Sequence, residues 1–510
     1  MKSQKSERNR YLILIFFLAV IVRFLYFPKD IYFAYDQARD AYVSQEIFAG
    51  DMKIQGPPAS FPGVYHGSVF YYLFGVIYYL ANGSPILLAM FLRVYNAFGV
   101  FLIFLISKIL FDNRTGYVAG IIYALSFEQS QYALFIGHPA LAVLTVFLFY
   151  YGLTKLFFEK KESGLIITLL GLGLSIQFHI ALIFLIATFI ACLIVFRSRL
   201  PRINKNTYIY STFTFLLSTL TYTLSEFKFG FNTIKSLSDY FIFNPENSIY
   251  GMNIKNLYLI PLRFIEHNLI SFPKLSYITF LATVLALVYF LKQKKLRTIG
   301  VFLITWLLSG VLPYLFEHSS LTIYYYTIGG SIPLLIIAAY IVSRIAKIGR
   351  ILAYGFVVVI LLSNLRLINR YNRNGTTPSI NVQDKMLLSD ELAAIDYLYK
   401  KSDGTPYSVY ALTNPYKINT TWSYIFEWYA RRKYGFIPVW GGDAAQGFKG
   451  NLIVNTHQSE LPDLKFTIIE PRRGIPEGLV EKFQVEEGYF WKVTEEKSFG
   501  EIIVQERIRK

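Results

Sequence analysis

Thiol chemistry is all but missing from this chain, which has one cysteine, Cys192, in 510 residues. A single cysteine excludes an intrachain disulfide, and its place inside an apolar segment argues against a thiolate metal cluster. Charge is scarce too. Charged residues make up 16% of the chain, whereas soluble domains carry about 25%. No internal repeat or low-complexity tract is evident, which excludes a repeat array.

Apolar and aromatic residues take up the room left by charge. The chain is 54% hydrophobic and holds 40 Tyr and 45 Phe, a composition suited to lipid-facing helices and interfacial belts. It reads as an integral membrane protein. The formal charge of +17 does not point to nucleic acid, because the basic residues cluster in short loops between apolar segments. Such clusters mark the cytoplasmic side.

In order, Lys2, Lys5, Arg8 and Arg10 precede the apolar run Tyr11–Phe27, which reads as an uncleaved signal anchor with a cytoplasmic N-terminus. Arg23, near its outer end, either snorkels to the interface or faces the following loop. His66–Ala81 is 16 residues, short of the ~20 needed to cross, and is expected to lie in the outer leaflet. Further spans are expected at 85–111, 115–134, 139–158, 164–178, 180–196, 207–224, 275–291, 298–316, 323–345 and 351–365. The total is about eleven, with the strongly basic short loops all on one side. The fold class expected is therefore a polytopic α-helical membrane protein carrying a small C-terminal α/β domain. Residues 1–366 form the membrane part, with a first outer loop at 28–84 and another at 225–273. Residues 367–510 form the extracytoplasmic domain. In it, Ser389–Lys401 reads as a helix capped by Ser389 or Asp390. Trp422–Tyr434 also looks helical. Tyr407–Leu412, Leu452–Val454, Phe466–Ile469, Tyr489–Thr494 and Glu501–Glu506 read as strands.

The first outer loop is the stretch on which the chain is centred. It runs Tyr35-Asp36-Gln37-Ala38-Arg39-Asp40-Ala41-Tyr42, then Gly50-Asp51, Gly56-Pro57-Pro58 and Tyr65-His66-Gly67. On a helix, Asp36 and Asp40 share one face with Arg39 beside them. Two carboxylates and a guanidinium at a membrane surface can hold and deprotonate a polar substrate; the same triplet also fits a solvated ion-pair face. Asp51 reads as a turn or cap residue. Five of the six histidines, His66, His138, His179, His267 and His318, fall at or near outer loops. Mere loop residence explains this, and so does a shared outward cavity. Arg263 and His267 are one helical turn apart. Tyr324, Tyr325 and Tyr326 open the tenth span as an interfacial belt or as hydrogen-bond donors to a phosphate. Glu226 either binds an acceptor, orients Arg263, or is a solvated acid; Glu128 and Glu317 stand similarly. Arg472-Arg473 reads as surface charge.

The order of first span, acidic loop helix, Gly-Asp, Pro/Gly turn, aromatic helix and Leu92-Arg93-Val94 resembles the GT-C superfamily of glycosyltransferases. Within it the chain is similar to the branch of protein O-mannosyltransferases and lipid A aminoarabinose transferases. The resemblance implies a multi-spanning enzyme that uses a polyprenyl-phosphate-linked sugar. By it, Asp36 matches the first acidic residue, the expected catalytic base. Gln37 stands where a second acid is common, unless Asp40 substitutes for it. His66 falls where one branch has a lysine near the donor phosphate, and His138-Pro139 where that branch has an acid followed by proline. Ser225-Glu226-Phe227 through Gly230-Phe231-Asn232 resembles a run found in bacterial members.

The chemistry agrees with the residues. Inverting transfer needs a base behind the acceptor hydroxyl and positive charge or donors on the departing phosphate. The sequence leads us to expect Asp36 as base, Asp40 as its assistant, and Arg39, His66, Arg263, His267, His318, Tyr325 and Glu226 as binders of donor phosphate or substrate. No cofactor is required, and a divalent metal is optional. The partners expected are the polyprenyl-phosphate sugar, membrane lipids, and a protein, lipid or glycan acceptor. A transporter or flippase of lipid-linked saccharides is the rival, although such proteins place ionisable residues and helix breaks within spans. A non-catalytic scaffold for the terminal domain is a third reading.

Overall fold

The computed structural model describes residues 2–59, 62–239, 254–315 and 324–510. His318 and Glu317 lie outside the described residues. Helices dominate up to Tyr371, and a mixed sheet follows.

Among the described residues five helices are long and apolar enough to cross a membrane: Pro85–Leu110, His138–Phe158, Pro273–Lys292, Arg297–Tyr314 and Arg350–Asn374. They coincide with five of the eleven expected spans. Of the remaining segments, the first is the apolar part of the 22-residue helix Lys2–Arg23, and the others are shorter or interrupted. Residues 115–134 break at Ser126, whose extended backbone and side chain cap a new helix, Phe127–Leu134. Residues 207–224 break at Thr219. Ser163–Phe178 and Ile180–Val195 are two short apolar helices that meet at His179, where the sequence places the boundary. A hydropathy reading sums over such breaks, because a capping serine or a single extended residue hardly lowers the mean of a window.

Inside the bundle two guanidiniums are taken fully out of water. Arg23 neither snorkels nor faces the loop. Its Nε donates to Asn96 Oδ1 at 2.7 Å and its Nη1 to the carbonyls of Ala19 and Ala124, each at 3.0 Å. Arg93 donates to the carbonyl of Arg23 at 3.1 Å and forms an ion pair with Asp30 at 2.7 Å. Asp30 and Arg93 are both buried, and they tie the start of the outer loop to the span beginning at Pro85. Asp30 carried no signal in the sequence beyond being an acid after a span.

From Asp30 the chain runs extended. Phe33 donates its backbone N–H to Met386 and Leu388 donates to Ile31, at 3.0 and 2.9 Å. The loop helix Tyr35–Glu46 follows, with Asp36 in its first turn, where a carboxylate is favoured by the helix dipole. Gln37 turns back to accept from the Ala34 N–H at 3.2 Å and donates to the Ile136 carbonyl at 2.9 Å. It therefore organises the start of the helix. The Pro/Gly turn is a short hairpin in which Gly56 donates to His66 and His66 donates to Pro57, at 2.8 and 2.9 Å. A Cβ at Gly56 would lie 2.4 Å from the Gly67 oxygen, so only glycine lets the two arms close and set His66 in place. The aromatic helix Val69–Leu80 packs on the loop helix, with Phe70, Tyr71, Phe74 and Tyr78 buried.

The terminal part is a five-stranded sheet: β1 Tyr407–Leu412, β2 Val439–Trp440, β3 Leu464–Ile469, β4 Trp491–Phe499 and β5 Ile502–Arg509. Its order is β2-β1-β3-β5-β4. β1 is parallel to β2 and β3, and β5 is antiparallel to β3 and β4. The helix Leu388–Ser402 has no side-chain cap, so Ser389 and Asp390 do not serve as one. Tyr489 and Phe490 end a helix, Glu477–Phe490, and β4 starts at Trp491. Leu452–Val454 contributes only a bridge between Val454 and Trp440.

The sheet unit sits against the loop helix. Tyr424 donates to the Gly83 carbonyl at 2.6 Å and accepts from Gln45 at 3.0 Å; Tyr42 donates to Glu427 at 3.1 Å. Removing one partner of the buried Asp30–Arg93 pair leaves an uncompensated charge, which costs about 3–5 kcal/mol. Asp30→Asn is therefore expected to lower the unfolding midpoint of the detergent-solubilised protein markedly. An unchanged midpoint in thermal or denaturant unfolding would contradict the structural weight given to this pair.

Candidate active site

The loop helix presents its two carboxylates very differently. The Asp36 side chain is 61% exposed and that of Asp40 only 6%. Between them lies Arg39. Its Nη1 reaches Asp36 Oδ1 at 2.7 Å, while its Nε and Nη2 both reach Asp40 Oδ1, at 2.9 and 2.7 Å. Tyr71 on the aromatic helix also donates to Asp40, at 3.4 Å. The shared helical face expected of the triplet is real, but burial divides it: one acid looks outward and the other is enclosed. Burial pushes the Asp40 carboxyl up to about 6, against the pull of Arg39 and with the Asp36 charge adding to the rise. Enclosure in low dielectric disfavours the charged form of an acid.

Beside Arg39 three histidines meet. The ring of His66 lies 4.3 Å from that of His138 and 4.7 Å from that of His179, centre to centre, and His138 and His179 stack at 5.7 Å. Residues far apart in the chain reach this point because each ends an element. His66 closes the Gly56 hairpin, His138 opens a span, and His179 interrupts an apolar hairpin. His66 Nδ1 accepts from the Ile180 N–H at 3.3 Å, and His138 Nδ1 is 2.5 Å from the Phe178 carbonyl oxygen. Burial, reinforced by His138, His179 and Arg39, holds His66 well below the usual histidine range. At neutral pH it therefore offers hydrogen bonds rather than positive charge. Among the described residues no three His, Cys, Asp or Glu side chains are arranged to hold a metal ion.

Tyr325 joins this group. Its ring is 5.5 Å from that of His179, its hydroxyl donates to the Ile380 carbonyl, and it lies within electrostatic reach of Asp36. Its neighbour Tyr324 faces elsewhere, where a second buried network forms. His267 Nδ1 is 2.5 Å from the Tyr324 hydroxyl. Arg263 donates to Thr327 Oγ1 at 3.1 Å and lies over the rings of Phe264, Tyr314 and Tyr324. Glu128 accepts from Asn268 and Ser331, at 2.6 and 3.0 Å. Burial, with Arg263 nearby, pushes His267 down to about 3. Arg263 and His267 thus do share a helical face, but it points into this second network and away from the loop helix.

Glu226 accepts from the backbone N–H groups of Thr233 and Ile234 at 3.3 and 3.4 Å. It organises the start of the short helix Asn232–Ser238. Asp51 pairs with Lys53, which also reaches Glu46 at 3.1 Å. Tyr71 and Gln37 are the contributors that the sequence pattern did not disclose. An aromatic run and an amide have no signature until the helix that carries them is set against its neighbour.

Comparison with known proteins gives three results. Residues 65–223 match the family described as dolichyl-phosphate-mannose-protein mannosyltransferases, a stretch that contains all three clustered histidines. Over nearly its whole length the structure superimposes on ArnT from Cupriavidus metallidurans, solved bound to undecaprenyl phosphate. The TM-score is 0.59 at 10% identity, and 98% of each chain is covered. The chain has a GT-C glycosyltransferase fold. The Archaeoglobus fulgidus oligosaccharyltransferase, solved with a tethered acceptor peptide, is also similar, with a TM-score of 0.50 at 13% identity over 82% of this chain and 63% of that one. No curated protein matches at the level of sequence. At the level of fold, the resemblance read from the first span, the acidic loop and the aromatic helix is thereby borne out.

Infrared difference titration tests the electrostatics of the triplet. A carboxyl band with a midpoint near pH 6 is expected in the unmodified protein and not in Asp40→Asn. Titration of that band below pH 4.5 would show that the enclosure of Asp40 is looser than described.

Proposed function

We propose that this protein transfers a sugar from a polyprenyl-phosphate carrier to an acceptor hydroxyl on the extracytoplasmic side of the membrane, with inversion at the anomeric carbon. The single observation that carries the reading is the Asp36–Arg39–Asp40 triplet set beside a histidine cluster, in a chain whose fold is that of glycosyltransferases from end to end. Supporting it, the matched family is named for a lipid-phosphate-sugar donor, and ArnT, the structural neighbour, was solved with a polyprenyl phosphate.

In this mechanism Asp36, the accessible acid, takes the proton from the acceptor hydroxyl, as a positioned carboxylate does in general base catalysis. The oxygen attacks the anomeric carbon from the face opposite the phosphate, and the carbon–phosphate-oxygen bond breaks. Proton transfer to Asp36 removes the charge that holds half of the Arg39 guanidinium. Arg39, still oriented by the buried Asp40, is then free to meet the departing phosphate, so positive charge becomes available as negative charge develops. His66 and Tyr325 contribute hydrogen bonds around the reacting groups, and Arg263 supports them indirectly by holding Thr327 in the turn that carries Tyr325. In this scheme these groups supply the base and the phosphate contacts, and a divalent metal is optional. This reading puts the N-terminus in the cytoplasm and the sheet unit outside, in keeping with the side on which the basic short loops cluster.

The transporter reading gains nothing from the comparisons, since the matched family and the neighbours are transferases. Asp36→Asn is expected to lower transfer from labelled polyprenyl-phosphate sugars by at least about a hundredfold, the scale of a lost general base. Membrane insertion and the unfolding midpoint should stay as they were, since Asp36 is exposed. Near-normal transfer in this variant would remove Asp36 from the mechanism. Movement of intact donor across vesicle membranes, with no free carrier phosphate released, would replace the enzyme by a flippase.

A further inference from the structure

The terminal sheet holds a cavity that the membrane site does not use. It has a volume of about 740 Å³, within the range of roughly 300–1,000 Å³ typical of small-molecule sites. Its walls come from two loops, the one after β1, with Tyr416, Lys417 and Asn419, and the one after β2, with Asp443, Gln446 and Phe448. Those strands are parallel neighbours, and the chain leaves β1 for β2 on one side and reaches β3 on the other. The carboxyl end of β1 is thus the point where the strand order reverses. At that point the two loops diverge and open a crevice, which is where ligands bind in sheets of this kind.

The lining has a definite chemistry. Lys417 and Asp443 pair at 2.6 Å, so these two side chains cancel each other's charge, and an anionic ligand would gain little from them. Asn419 and Gln446 supply amide donors and acceptors suited to hydroxyl groups. The Tyr416 and Phe448 rings supply flat apolar faces, and the buried Tyr416 hydroxyl has no hydrogen-bond partner. Uncharged amides alternating with aromatic faces match the two sides of a pyranose, its hydroxyl rim and its C–H face.

The position of the crevice connects it to the loop helix. Phe448 packs edge-on against Tyr35, the residue before Asp36, at 5.9 Å, and the next residue, Lys449, pairs with Glu46 at the other end of the same helix at 2.5 Å. One wall of the crevice is therefore fastened along the helix that carries the proposed base.

We propose that this crevice binds a neutral saccharide segment of the acceptor and delivers its end past Phe448 to Asp36. This rests on the glycosyltransferase reading and adds to it the class of acceptor, a glycan rather than a peptide or a lipid headgroup. A saccharide held at several units gains affinity from the sheet unit, and only its last hydroxyl has to reach the loop helix.

Direct binding separates this proposal from the catalytic one. The full-length protein in nanodiscs is titrated by calorimetry with a panel of neutral oligosaccharides, the β-linked glucose, galactose and N-acetylglucosamine tetramers and the α-linked mannose tetramer. Saturable binding to at least one is expected. Phe448→Ala should weaken it about tenfold by loss of a stacking face, and Gln446→Ala about threefold by loss of one hydrogen bond. Both residues are exposed, and unchanged unfolding midpoints would confirm intact folds. Absence of saturable binding across the panel, or equal affinity in both crevice variants, would overturn the proposal. So would displacement of the bound saccharide by anionic vesicles, or preference for acceptor-like peptides. Binding retained in a protein that transfers no sugar would count against the catalytic reading alone.

Discussion

The outer half of the molecule hangs from a charge pair that water does not reach. Asp30 closes on Arg93 inside the bundle, and Arg93 in turn holds the carbonyl of Arg23. A buried ion must find a partner of opposite sign with good geometry or it destabilises the fold. That requirement fixes where the chain goes after the first helix. Ile31 and Phe33 are then in reach of residues 386–388, and the loop helix starts at a defined place and angle. The backbone bonds to residues 386–388 and the Gln37 amide then complete the register of Asp36, Arg39 and Asp40.

The candidate site applies the same rule in a milder form. Arg39 is shared by one enclosed and one open carboxylate, so the enclosed acid holds the guanidinium while the open one remains able to act on a substrate. His66 and His138 beside it are each held to a backbone atom through Nδ1, which fixes the direction of those hydrogen bonds. Aromatic side chains from the sheet unit and the helix Val69–Leu80 surround the loop helix on other sides. Rigid supports of this kind allow a catalytic group to be placed on an outer loop without losing precision.

Much of this was legible in the residues. The polar loop after the first apolar run, the aromatic helix of sub-spanning length, and the five uninterrupted spans all follow from local composition and period. The strands β1, β3 and β5 likewise show as short apolar or alternating runs. The parts that were not legible depend on partners. Glu477–Phe490 carries glycines at 478 and 488 and a weak apolar stripe, so its helix needs Val480 and Phe483 to find the sheet. Arg23 looks like an interfacial anchor until Asn96 is beside it. Arg263 and His267 have the right spacing for a phosphate site, yet the helix is rotated so that Tyr324 takes His267 instead.

By itself the sequence determined that the chain is built of long apolar helices, that a polar loop with an aromatic helix follows the first apolar segment, and that an Asp-Arg-Asp triplet lies on one helical face. Those facts reside in composition, period and spacing, which neighbours along the chain are enough to express. Tertiary structure alone decided which acid of the triplet is enclosed, that residues 66, 138 and 179 share one corner, and that a crevice of the sheet unit is fastened to the loop helix. Each of these turns on burial and on contacts between residues tens to hundreds of positions apart, and such contacts exist only once the whole chain has packed.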